Sequence, residues 1–369
     1  MRKIFVGFLI ILLSFSVISL NAQSSENLIQ LAILLDTSNS MDGLIDQAKS
    51  QLWKIVNELA LSKKNGQTPN IEVGLFEYGN SSLERNDGYI RMVSQLTGDL
   101  DLISDKLFGL VTNGGDEYCG EVIREATKKF NWSKNNNILK VIFIAGNEPF
   151  NQGSYDYKKA CKEAISKGIV VNTIFCGDSR EGIDTFWKDG ADLADGKYIN
   201  IDQNEVYAYI EAPQDKEIQK LNEELNDTYV SYGVEGKQKK EMQTRQDSNA
   251  MEMSAESYIQ RSVTKSSKNY NASSWDIVDA VNNENVKVED INEKELPDVM
   301  KKMSKEERKK YIDDMTKKRQ AIQDKIRILN DERNEYLNKK RAENSEKSAL
   351  DRAIIEAVKD QAKSKNFKF

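Results

Sequence analysis

The chain has 369 residues, enough for two domains of ordinary size, and carries a net charge of −6. That acidic balance argues against nucleic acid as the main partner, because phosphate binding needs a basic face. The sequence contains no histidine, which excludes Ser–His–Asp and Cys–His hydrolysis and the usual catalytic zinc sites; any metal must be held by oxygens, as magnesium, manganese or calcium are.

In chain order, Arg2 and Lys3 precede an apolar run, Ile4 to Leu20, followed by Asn21-Ala22-Gln23. This pattern predicts a signal peptide over 1–22, cleaved after Ala22, and a periplasmic, secreted or cell-surface protein. Leu20 is large for the third residue before a cleavage site, so an uncleaved anchor is the alternative, and only then would the chain contact a membrane. Residues 29–35 form a buried-strand run, and 43–61 follow with helical spacing at Leu44, Ala48, Leu52, Ile55, Val56 and Leu59. Strand patterns at 71–76 and 89–93 flank the turn-rich stretch Gly79 to Gly88, which predicts a hairpin. Helices are expected over 99–108, 119–130 and 155–167, and strands over 138–144, 169–175 and 197–201. Such alternation predicts an α/β fold with a Rossmann-like, doubly wound, mostly parallel sheet.

The second half differs. All 20 glycines lie at or before Gly236, so the rest is expected to be helical rather than turn-rich. Residues 215–229 carry one apolar stripe, 237–269 are polar and weakly helical, and 270–296 are irregular around Trp275, Ile277 and Val278. After Pro297, Ser304 and Glu307 form a capping box at the start of a long helix. Positions 312, 315, 319, 322, 326, 329, 333 and 336 make a heptad seam interrupted by Arg319 and Arg333. That seam reads as a partly coiled-coil region, packed within the chain or against a partner; two arginines disfavour a long parallel dimer. A last helix is expected over 348–364. The resulting division is 1–22 signal peptide, 23–235 α/β domain, 236–296 linker and helical region, and 297–369 α-helical region.

The chemistry centres on Asp36-Thr37-Ser38-Asn39-Ser40, directly after the first strand. Open parallel sheets bind ligands beyond the carboxyl ends of their strands. One carboxylate and two hydroxyls from a tight loop there suit a hard cation. The bland alternative is a polar helix cap.

With the strand before it and Leu44-Ile45-Asp46-Gln47-Ala48-Lys49 after it, this motif resembles the start of a von Willebrand factor A domain with its metal-ion-dependent adhesion site. The resemblance covers about 28–230. It implies a binding module, not an enzyme, with magnesium (or manganese or calcium) at the site. In that family a second loop supplies a Thr within G-G-T; here Gly114-Gly115-Asp116-Glu117 puts Asp116 at that place. A third element supplies an Asp after the fourth strand; here Ile144-Ala145-Gly146-Asn147-Glu148 puts Gly146 there. A carboxylate is lost at 146 and one gained at 116, so the expected metal ligands are Asp36, Ser38, Ser40 and Asp116. Glu117, Asn147 and Glu148 are expected to act on the ligand, which would be an acidic side chain of a protein partner. The alternative is a decayed site, with 116–117 merely capping the helix near Tyr118. The Gly-Asp-Glu-Tyr-Cys-Gly and Ala-Gly-Asn-Glu-Pro-Phe stretches resemble a bacterial subgroup of exported A-domain proteins.

Two other functions compete: a structural or assembly protein acting through its C-terminal helices, and a metal-dependent phosphohydrolase. The haloacid dehalogenase-type phosphatases need a second Asp where Ser38 stands, and no glycine-rich phosphate loop follows the first strand. Of the cysteines Cys119, Cys161 and Cys176, the sheet-edge geometry favours a Cys161–Cys176 disulfide, with a Cys119 pairing or three free thiols as alternatives.

Overall fold

The computed structural model describes residues 27–42, 45–201, 209–283, 285–343 and 349–369. The expected signal peptide lies outside the described residues, whose helices include none long and apolar enough to cross a membrane.

Six strands form one sheet: β1 (Leu28–Asp36), β2 (Asn70–Tyr78), β3 (Ile90–Thr97), β4 (Leu139–Gly146), β5 (Ile169–Cys176) and β6 (Tyr198–Ile201). Their order is β3-β2-β1-β4-β5-β6. The β2–β3 pair is antiparallel, the expected hairpin; the other pairings are parallel. The strand period of two divides β1 between the faces. Ile29, Leu31, Ile33 and Leu35 enter a core with α1 (Ile45–Leu61) and α2 (Leu100–Phe108). Ala32 and Leu34 enter another with α3 (Cys119–Lys129), α4 (Tyr157–Ser166) and α6 (Trp187–Leu193), with α5 (Ser179–Asp184) beside them. Both faces of the strand are buried, which is why it reads as a continuous apolar run.

The disulfide expectation is corrected here. All three cysteines are buried free thiols. Cys161 belongs to the core on one face of the sheet and Cys176 to the core on the other, so the sheet separates them. Shared height along the strand direction was not enough; the pleat decides which face a side chain enters.

The helical region comprises α7 (Asp215–Asn226), α8 (Gly236–Met253), α9 (Ala255–Ser266), α10 (Ile277–Asn282) and α11 (Lys305–Glu343). The capping box at the start of α11 forms: Ser304 N donates to Glu307 Oε2 (2.7 Å) and Glu307 N to Ser304 Oγ (3.3 Å). The seam of α11 packs within the chain. Ile322 and Ile326 join Ile218, Leu221, Leu225, Ile259 and Trp275, while Ile312 joins Val230, Ile277 and Val278. The arginines in the seam are buried against acids: Arg319 Nη1 lies 2.7 Å from Asp276 and Arg333 Nε 2.7 Å from Asp215.

The helical region joins the α/β unit mainly through polar groups. Asp99, Asp101 and Asp105 on or beside α2 meet Lys239, Arg261 and Arg245 at 2.7, 2.8 and 2.8 Å. The last helix, α12 (Ala349–Ser364), returns to the α/β unit. Val358, Ala362 and Phe367 share the core of β1 and α1, Gln361 and Asn172 exchange amide hydrogen bonds, and Lys63 and Lys368 pair through their backbones.

Candidate metal site at the carboxyl edge of the sheet

Asp36 ends β1 and is fully buried. Its Oδ1 accepts from Ser38 N at 2.7 Å, while its Oδ2 is buried with no hydrogen-bond partner. Three loops hold this turn. Thr37 N donates to Tyr78 O and Asn113 N to Thr37 O, both at 2.9 Å. Asn80 Nδ2 donates to Val111 O at 3.0 Å. Ser38 Oγ and Ser40 Oγ lie 2.7 Å apart, and Ser40 Oγ donates to Asn147 Oδ1 at 2.9 Å. Asp36, Ser38, Ser40 and Asn147 therefore form one connected group.

The second loop departs from the expectation. Asp116 is exposed and accepts from the Tyr118 hydroxyl at 3.1 Å. Glu117 is buried and faces Asp36. Neither residue caps α3, whose N-cap, Tyr118, has no side-chain cap bond. In the irregular segment before α3, Glu117 turns inward while Asp116 turns out, and the motif spacing carries no signal for which of the two does so. Glu148 is half-buried and accepts from Gln152 Nε2 at 3.2 Å.

Two glycines make room for the carboxyl pair. A Cβ on Gly79, at φ +78°, would lie 2.7 Å from both Asp36 Oδ1 and Glu117 Cγ. A Cβ on Gly146 would lie 2.5 Å from the Tyr78 hydroxyl and 3.2 Å from Asp36 Oδ2. The Tyr78 hydroxyl donates to Ala145 O at 2.9 Å, so a tyrosine occupies the ground beside residue 146.

The electrostatics follow from crowding two acids in a dry site. Burial pushes Asp36 up to about 6, opposed by the hydrogen bonds it accepts at Ser38. Burial, then the Asp36 charge, pushes Glu117 up to about 9. Two facing carboxyls resist double ionisation unless a proton or a cation lies between them.

Among the described residues no group of three Cys, Asp or Glu side chains is arranged to hold a metal ion. The oxygens here are instead two carboxyls, two hydroxyls and an amide carbonyl. That hard donor set, together with the orphaned Asp36 Oδ2, fits magnesium, manganese or calcium.

Residues 30–186 match the family model for the von Willebrand factor type A domain. Similar solved structures include the conserved hypothetical protein BatB from Bacteroides thetaiotaomicron, at 21% identity over 47% of this chain and 90% of that one, TM-score 0.35. The SpRpn10 VWA domain is 16% identical over 47% and 87%, TM-score 0.36. An aerotolerance-related membrane protein from Bacteroides fragilis, carrying multiple mutations to serine, is 19% identical over 47% and 92%, TM-score 0.32. No curated protein matches.

Proposed function

We propose, on the premise that residues 30–186 match the von Willebrand factor type A domain model, that the chain is an exported, non-catalytic binding protein. It engages a protein partner through a divalent cation held at Asp36, Ser38, Ser40 and Glu117. A bound magnesium ion, or manganese or calcium, would offer a coordination position to an acidic side chain of the partner. The observation that carries this reading is the buried, unpartnered Asp36 Oδ2 facing Glu117 beside the paired Ser38 and Ser40 hydroxyls. Glu117 takes the role first assigned to Asp116, whose carboxylate is engaged by Tyr118. Asn147 holds Ser40 in place from the facing strand end, and Glu148 at the rim sets the charge that a partner meets. Export rests on the 1–22 sequence pattern.

Capture from envelope extract tests this function. The chain should retain a protein in magnesium and release it in chelator, and Asp36→Ala should retain none while folding normally. Capture that is equal in magnesium and in chelator, and equal for Asp36→Ala, overturns the reading.

A further inference from the structure

The strands β1, β2, β4 and β5 run parallel, so their starts share one edge of the sheet, opposite the candidate metal site. Lysines gather at that edge from several segments of the chain. Lys63, Lys134, Lys167 and Lys368 are exposed, Lys365 is half-buried, and Lys64 and Lys140 lie buried behind them. The 133–137 loop ties them together. Lys140 Nζ donates to Ser133 O at 3.1 Å, Lys365 Nζ to Asn136 O at 2.9 Å and Lys64 Nζ to Asn137 O at 2.6 Å. Lys140 Nζ also donates to Lys167 O at 2.6 Å, and Lys63 and Lys368 exchange backbone bonds.

Those acceptors are neutral carbonyls, so they fix the ammonium groups without cancelling their charge. Carboxylates beside the cluster are already engaged: Glu72 accepts from Gln30 at 2.8 Å, Glu58 meets Lys359 and Asp360 meets Lys363. Burial, and then the charges of Lys365 and Lys167, push the Lys140 ammonium down from its ordinary value, as crowded cations do. On a chain of net charge −6 this edge is a local reversal of sign. Two large apolar side chains stand beside it. Leu61 ends α1 just before Lys63 and is 42% exposed, and Phe369 follows Lys368 and is 45% exposed.

We propose that this edge lies against an anionic lipid bilayer, with or without an uncleaved anchor, its lysines over the headgroups and Leu61 and Phe369 dipping among them. Basic groups beside protruding apolar side chains supply both parts of interfacial binding, charge attraction and apolar burial. A soluble polyanion would use the lysines and leave Leu61 and Phe369 in water. A pocket for one phosphate favours the planar fork of arginine, whereas the cations here are lysines, hydrated point charges suited to a diffuse field. The chain also enters β1 at this edge, where Asn27 Nδ2 donates to Thr68 O and Asn70 N to Asn27 O, so an N-terminal segment left uncleaved would hold the same edge toward the bilayer. Seated this way, the candidate metal site at the far ends of the strands faces away from the lipid.

The test is sedimentation with vesicles of equal parts phosphatidylglycerol and phosphatidylcholine. It uses the chain from Gln23 onward, which keeps every described residue and leaves out the apolar 4–20 run, and it is done in chelator, which keeps the metal site out of the reading. The chain should pellet with these vesicles and not with phosphatidylcholine alone, and salt should weaken the binding. Lys63→Gln, Lys134→Gln and Lys368→Gln together should weaken it on the order of a hundredfold, about fivefold for each charge. Leu61→Ser with Phe369→Ser should weaken it several-fold. Should the triple variant fail to fold, Lys134→Gln alone, at an exposed loop position, should still weaken binding about fivefold. The proposal is overturned if phosphatidylcholine alone is bound as well, if either folded set of variants pellets as the wild type does, or if the chain binds heparin and no vesicles.

Discussion

Asp36 and Glu117 form a pair that the metal-free protein holds at a cost. At neutral pH a group pushed up to about 9 keeps its proton in the folded state and loses it in the unfolded chain. Stability therefore falls as pH rises from the ordinary carboxyl range toward that value. Glu117→Gln removes the titration, and is expected to raise metal-free stability at neutral pH by roughly 1 kcal/mol while abolishing cation binding; paired thermal melts and metal titrations check both. Cation binding must expel the Glu117 proton, so affinity should increase with pH up to about 9. Restoring the family's carboxylate with Gly146→Asp should destabilise by about 1–3 kcal/mol, because its Cβ meets the Tyr78 hydroxyl; denaturant melts measure it. The D-x-S-x-S loop was legible because a short motif carries its own geometry. That Glu117 rather than Asp116 is the buried one was not, because the motif does not say which of two adjacent residues in an irregular loop faces in. The cysteine pairing failed for the same reason, and thiol counting on unfolded, unreduced protein should find three free thiols per chain.

The elements most readable from sequence were those organised by apolar period. β1, β4 and β5 are such runs, and the seam of α11 lies at its expected buried positions 312, 319, 322, 326 and 333, while beyond Ile326 Asn330 and Leu337 are buried and the expected 329 and 336 only half-buried. The partners of Arg319 and Arg333 were invisible, since Asp215 and Asp276 are over 40 residues away in sequence. Arg319→Leu should leave Asp276 as an uncompensated buried charge and cost about 3–5 kcal/mol, more than replacing the pair together; denaturant titration of the single and double variants decides it. The helices α8 and α9 looked weakly helical because α8 buries Gln243, Gln246 and Asp247, and α9 buries Arg261 and Lys265 beside Tyr258, Ile259 and Val263, so polar groups blur the hydrophobic period. Burial raises the Asp247 carboxyl, but the Arg261 and Lys265 charges outweigh it and hold the group well below the usual range. Its contribution is complete above the unfolded carboxylate value of about 3.9 and is lost as pH falls below it. Asp247→Asn should therefore be strongly destabilised at neutral pH, with the difference from wild type shrinking in acid.

For the molecule as a whole, the chain leaves the α/β unit after β6, builds the helical region, and returns as α12 to seal the face over α1. Composition separated a glycine-bearing half from a glycine-free one, but not this return, because an amphipathic helix does not name the surface it covers. Deleting residues 344–369 should uncover the pockets of Val358, Ala362 and Phe367 and destabilise the α/β unit by at least roughly 3 kcal/mol, lowering its thermal midpoint even though the site residues are untouched. The polar junction of α2 with α8 and α9 further implies that the two regions unfold together rather than as separate transitions.

The most direct measurement is calorimetric titration of magnesium, and then manganese, into the purified chain at neutral pH. One saturable site is expected, with proton release, lost in Asp36→Ala and in Glu117→Gln and retained in Asp116→Asn. No binding up to millimolar cation, or binding that survives Asp36→Ala, would contradict a metal-dependent site at the end of β1.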